Sequence, residues 1–390
     1  MRRAREASVM AAVAAVVLSA CSTPLSAPDG KPAPESAPTP TPCGSTPPRP
    51  ADGKVWFGAS LDGSVDTPQA YAERVGQTPA VLVQFAGLPM TSRERTWVDQ
   101  AIDNAQQVGT VLLLTLEPTQ GLRAVTTPVV DDLVEQVQAA QDRGVPVIVR
   151  FAHEMNGSWY AWGQQPEEYV ATFRRVADAV HAGAPGAAML WAPNEGTEYP
   201  FAGGRYTVGP GTPEADRLDT DGDGEVAEGD DPYAPYWPGP SYVDWVGMTI
   251  YHWGRSFPWG ANERPEPGKF AGILRGTYTT GAKVPDFYQE YGVDQGLPVA
   301  VTETSALYNP SRPGGADNLA IKRAWWEQVF ADSIQRELPE VKMINWFEWD
   351  KFEQQTLSRI DWTATKRPKV RAPFVAALPD WLAFGGERMC

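Results

Sequence analysis

With 390 residues, 42% of them hydrophobic and 21% charged, the chain can bury a large core, which excludes a peptide-sized or disulfide-built scaffold. A formal charge of −15 makes a phosphate backbone an unfavourable partner, so nucleic acid is excluded as a ligand class. The 15 Trp are in excess of ordinary usage, and indole is left at a surface chiefly where something flat and polar stacks on it.

Residues 2–6 carry three Arg and one Glu, and the apolar run AAVAAVVLSA (11–20) leads to Cys21. A charged segment, a short apolar segment and a cleavage site predict an export signal over residues 1–20. Leu18, Ser19, Ala20 and Cys21 resemble the lipobox of bacterial lipoproteins. That resemblance implies lipidation of Cys21 and a cell-surface lipoprotein anchored to the bacterial membrane, with ordinary secretion as the alternative. Residues 21–50 hold ten Pro among Ser, Thr, Ala and Gly, the composition of a disordered spacer, and leave 51–390 as the folded body. Cys43 and Cys390 can pair in an oxidising compartment if the body brings its ends together; otherwise both are unpaired thiols.

Eight short apolar runs follow, at 55–63, 80–87, 110–118, 145–154, 188–195, 243–253, 297–304 and 341–350. Between them lie stretches of helical period such as PQAYAERVG, RERTWVDQAIDNAQQ, PVVDDLVEQVQAAQDRG, PEEYVATFRRVADAVHAG and ADNLAIKRAWWEQVFADSIQREL, several opening on Thr, Ser or Pro and closing on Gly. Strands alternating with helices predict an α/β protein with parallel pairing and right-handed crossovers. Eight units, with no GxGxxG or GxxxxGK[ST] after any strand, favour a (β/α)8 TIM barrel over an open doubly wound sheet.

Each run turns polar or aromatic where it ends: Asp62, Gln84, Glu117, His153 with Glu154, Asn194 with Glu195, Tyr251 with His252, Glu303, Glu348 and Asp350. In a barrel these positions share the mouth, where chemistry sits. Glycoside hydrolysis needs two carboxyl groups, one holding a proton and one ionised. Glu154 and Glu303 are the natural pair, from strands four and seven, and the mouth brings them to roughly 5 Å, the retaining separation. Asn156, Asn194 and Trp346 join the expected substrate-binding set. Glu195, Glu348 and Asp350 are the rivals, read otherwise as sugar hydrogen-bonders or partners of Arg150. A zinc hydrolase reading of His153-Glu154 fails because the position four residues on is Gly157.

The run RFAHEMNGSWYAWG resembles the signature of glycoside hydrolase family 26, the β-mannanase-like barrels, and YVDWVGMTIYHWG and LPVAVTET are similar to that family's sixth and nucleophile strands. The resemblance covers about residues 55–370. It implies Glu154 as acid/base, Glu303 as nucleophile, His153 supporting Glu154, Tyr251 close to the nucleophile, and Trp159 and Trp162 as sugar-contacting aromatics.

After strand five an insertion contains DTDGDGEVAEGD, residues 219–230. Asp219, Asp221 and Asp223 at positions one, three and five, Gly224 at six and a carboxylate at twelve follow the calcium-loop pattern, with Glu225 lending its backbone carbonyl. The departure is Asp230 where a bidentate Glu is usual. A structural calcium ion is expected, performing no chemistry.

The expected function is a retaining, endo-acting glycoside hydrolase on a β-linked polysaccharide, with β-1,4-mannan as the resemblance implies. A β-1,3-xylanase, a mixed-linkage β-glucanase and a non-catalytic carbohydrate-binding lipoprotein are the alternatives.

Overall fold

The computed structural model describes residues 41–279 and 281–386. The signal segment, Cys21, most of the spacer and Cys390 lie outside them. Among the described residues no helix is long and apolar enough to cross a membrane.

Eight parallel strands run β1 (Val55–Leu61), β2 (Val81–Gly87), β3 (Val111–Glu117), β4 (Val147–Phe151), β5 (Ala188–Trp191), β6 (Trp245–His252), β7 (Val299–Ala306) and β8 (Val341–Glu348). They pair in chain order and β8 returns to β1, so the sheet closes as the expected (β/α)8 barrel. The apolar runs therefore mark all eight strands. Between them pack α1 (Pro68–Val75), α2 (Ser92–Val108), α3 (Thr127–Asp142), α4 (Pro166–Gly183), α5 (Pro213–Leu218) and α6 (Lys269–Leu274). The long helical stretch before β8 is two helices, α7 (Asn318–Val329) and α8 (Asp332–Glu337), and α9 (Pro368–Val375) follows the barrel. The sequence sets the helix ends locally: Thr91 and Glu94 form a reciprocal capping box on α2, and Gly76 and Gly109 take left-handed conformations that stop α1 and α2.

Strand alternation sorts the apolar residues. Trp56, Val83, Leu113, Ile148, Leu190, Trp245, Ala300 and Met343 fill the barrel's interior, while their neighbours pack outward on the helices. Toward the carboxyl ends of the strands the interior becomes polar, with Ser60, Thr115, Arg150, Thr249, Glu303 and Asn345 all buried.

Residues 41–50, which composition assigns to the spacer, lie against the lower end of the barrel instead. Cys43 N–H donates to Gln141 O at 2.9 Å, and Trp245 Nε1 donates to Pro48 O at 3.1 Å while its ring stacks on Trp56. Proline lacks a donor but keeps its carbonyl, so a Pro-rich segment can still dock through acceptors. Beside it a two-residue strand, β11 (Leu382–Ala383), pairs with β1. Cys43 is disulfide-bonded; its expected partner, Cys390, is outside the described residues.

Candidate active site

Glu154 and Glu303 reach the mouth through two backbone irregularities. After β4 the backbone leaves the strand with Ala152 and Glu154 at φ 47° and 54°, the left-handed region uncommon for side-chain-bearing residues. Glu154 N–H is held by Ala192 O at 2.9 Å. In β7, Ala300 faces the interior and Val301 faces the helices, so a regular strand would aim Thr302 inward and Glu303 outward. Against β6 the register runs Met248 to Val301 and then Thr249 to Glu303, leaving Thr302 as an extra residue. This bulge turns Glu303 inward and sends Thr304 out to accept a hydrogen bond from Trp325 Nε1 at 2.9 Å.

Oxygen atoms of Glu154 and Glu303 and a ring nitrogen of His153 all lie within 4.8 Å of one another. Glu303, 6% exposed, accepts from Arg150 Nη1 at 2.5 Å and from Tyr251 Oη at 2.7 Å. Arg150 is fully buried, and its other arm donates to Thr249 Oγ1 at 2.8 Å. Its partner is thus Glu303 itself; Glu348 is held by Ala364 and Thr365, and Asp350 pairs with Arg359 and Lys366.

The two carboxyl groups live in opposite environments. Burial, and then the nearby charge of Glu303, push Glu154 up to about 7, against the opposing pull of Arg150 and of hydrogen bonds from Thr249 and Trp159. Glu303 has a guanidinium to compensate its negative charge. One group can therefore hold a proton near neutrality while the other sits against a buried guanidinium. Burial, reinforced by Arg150, depresses His153 and keeps its imidazole neutral.

The cleft over this pair encloses about 250 Å³. Trp159, Asn194 and Tyr251 line it as expected. Trp159 Nε1 donates to Glu154 Oε2 at 2.9 Å, and the indole lies so close over Gly157 that a Cβ there would stand 2.4 Å from its ring. Four other expected contacts are set back from the cleft. Trp162 is buried, stacked on Tyr160 with centroids 4.3 Å apart and donating to His153 O, so it supports the loop. His153 packs against Phe85 and Tyr160 behind the carboxylates. Asn156 exchanges two 2.8 Å hydrogen bonds with the Asn194 backbone and positions that residue. Trp346 points outward to Phe330 and Phe374, because β8 alternation puts Asn345 and Phe347 inside.

The lining also includes residues the strand-end pattern does not assign. Trp362 follows the β9–β10 hairpin (Asp350–Glu353 and Ser358–Asp361), which sits beyond β8, and packs on Tyr251 and Trp253. Glu198, Lys269 and Tyr278 come from the connections after β5 and β6. Only the Trp residue type signalled Trp362; nothing local marks the others.

In the 219–230 loop, carboxylate oxygens of Asp219, Asp221 and Asp223 lie within 4.8 Å of one another, and Glu225 is exposed. Asp230 is a correction. Its Oδ1 accepts from Thr220 and Asp221 amides and its Oδ2 from Ala227, so this shorter acid braces the loop where a Glu would reach inward.

Residues 64–212, which include Glu154, match the family model described as Glycosyl hydrolase family 26. The chain is similar to that family over this segment, which is less than half of its length. Over 219 residues the chain is 25% identical to Endoglucanase H of Acetivibrio thermocellus, a match that takes in 53% of this chain and 20% of that protein. The chain thus spans about a fifth of the curated relative's length. The barrel is similar to a Cellulomonas fimi endo-beta-1,4-mannanase double mutant, with TM-score 0.56, 18% identity and coverage of 89% and 78% of the two chains. It is also similar to GH26C from Muricauda sp., with TM-score 0.50, 14% identity and coverage of 85% and 87%. At these identities the solved structures establish the fold.

Proposed function

We propose that the chain is a family 26 glycoside hydrolase, retaining and endo-acting on a β-linked polysaccharide, with β-1,4-mannan its expected substrate. The observation that carries the reading is the pair of carboxyl groups with oxygens within 4.8 Å, one lifted to about 7 and the other held by Arg150 and Tyr251. That spacing suits double displacement and leaves little room for a water between the groups. Glu303 attacks the anomeric carbon as the glycosidic bond breaks, and Glu154 gives its proton to the leaving oxygen. Glu154, now ionised, takes a proton from water, whose oxygen replaces Glu303 at the same carbon. The mannanase name of one structural neighbour and the endoglucanase name of the curated relative make β-mannan and β-glucan the first two substrates to test.

The test is a panel of β-mannan, β-1,3-xylan and mixed-linkage β-glucan, with products resolved by size and anomeric configuration. A retained β-configuration and internal cleavage are expected. Glu303→Ala should abolish turnover while leaving binding largely intact; retained activity in that variant overturns the assignment.

Two further parts belong to this reading. Residues 1–21 direct export and lipid anchoring through Cys21, which intact-mass measurement of the membrane-extracted protein tests. The 219–230 loop takes a calcium ion through Asp219, Asp221 and Asp223, a set of oxygen donors suited to a hard cation, whose site contributes stability and no chemistry.

A further inference from the structure

One side of the cleft is built from ionisable groups that the reaction does not use. Glu195 and Glu198 follow β5, while Lys269 opens α6, and all three line the cavity with Tyr278. Lys269 is 7% exposed, yet its ammonium makes one hydrogen bond among the described residues, to Gly254 O at 3.1 Å. Glu266 stands 4.0 Å away, and the Tyr278 ring lies beneath the ammonium at 4.8 Å. An ammonium carries three donors, and leaving buried donors unmet is costly, so the remaining ones require acceptors from within the cleft. Glu195 spends Oε2 on the Thr197 amide, at 2.8 Å, and on its hydroxyl. Glu198 accepts no side-chain hydrogen bond among the described residues.

We infer that Lys269, Glu195 and Glu198 form a subsite that grips the hydroxyl groups of a neutral sugar unit and rejects a uronic acid there. This rests on the cleft being a glycan site. Carboxylates accept from sugar hydroxyls while the ammonium donates to their oxygens. Lys269 and Arg255 face Glu195, Glu198, Glu263 and Glu266, so acids outnumber bases and a further carboxylate is repelled.

The test uses two non-hydrolysable, S-linked β-oligosaccharides, one neutral and one with its C6 positions oxidised to carboxylates, titrated calorimetrically into the full-length protein above neutral pH. The neutral ligand should bind more tightly. Lys269→Met should weaken neutral binding by about tenfold to a hundredfold. Glu198→Gln, at a half-exposed position where folding is not at stake, should narrow the preference for the neutral ligand by about tenfold. Unchanged neutral affinity in Lys269→Met together with an unchanged preference in Glu198→Gln overturns the subsite. Because neither ligand is cleaved, this outcome is independent of the polysaccharide panel, whose failure would instead overturn the hydrolase reading.

Discussion

Replacing Trp159 by Phe tests the electrostatics of the proposed acid. Trp159 Nε1 donates to Glu154 Oε2 at 2.9 Å, and a hydrogen bond of this kind favours the ionised carboxylate. Phe keeps a ring against Tyr160 and Phe201, whose centroids lie 6.2 Å and 5.2 Å from the indole, and removes only the donor. Hydrogen bonds to charged groups contribute about 1.5–3 kcal/mol, and one pKa unit is about 1.4 kcal/mol. Trp159 is half-buried, so water recovers part of the loss and the lower end applies, giving a rise of about one unit. Glu154 stands at about 7. The assay is the pH dependence of kcat/KM on a soluble β-glycan, which reports the free enzyme's acid. Its alkaline limb should move from about 7 toward about 8. Any loss of sugar contact lowers the curve uniformly and leaves the limb in place. A limb that stays, or moves to lower pH, refutes the assignment of Glu154 as the proton donor held by Trp159.

Burial lifts Glu117, Glu154, Glu198 and Glu348 each to about 7, so the folded chain binds protons that the unfolded chain releases near 4.5. Their contribution to stability is full below 4.5 and is lost as pH rises through about 7. His153 and His252, depressed by burial, oppose this below 6.5, but two histidines against four glutamates leave the sign unchanged. The melting temperature should be lower at about pH 8 than at about pH 5, and the reverse order in thermal melts would contradict the burial of these acids. Calcium should raise the melting temperature of the wild-type chain and leave that of Asp221→Asn unmoved. Equal melts with and without calcium would remove the metal from the loop.

Much of the barrel is legible because each strand is an apolar run with a polar end, and the closed sheet preserves that order. Glu154 and Glu303 are legible as strand-end acids, but the route by which Glu303 faces inward is not. Plain alternation sends Thr302 inside, and only the register against β6 exposes the extra residue. Trp346 fails for the same reason in reverse: alternation says that Trp346 and Phe347 face opposite ways without saying which is inside. Lys269 and Trp362 were out of reach because a short helix and a hairpin outside the strand-end pattern deliver them. The docked segment 41–50 hides behind a composition that encodes stiffness and solvation but says nothing of carbonyl acceptors meeting Gln141 and Trp245.

That docked segment also gives the molecule a polarity. Pro48 meets Trp245 at the start of β6, whereas Glu303, Tyr251 and Trp159 open at the far ends of the strands. The chain therefore enters the barrel on the face opposite the cleft. Any load or surface pulling on residue 41 bears first on the closed floor, where Cys43 is cross-linked, whereas Glu154 and Glu303 open into the cleft at the other ends of the strands. Whatever fills the cleft therefore approaches from the side away from residues 41–50.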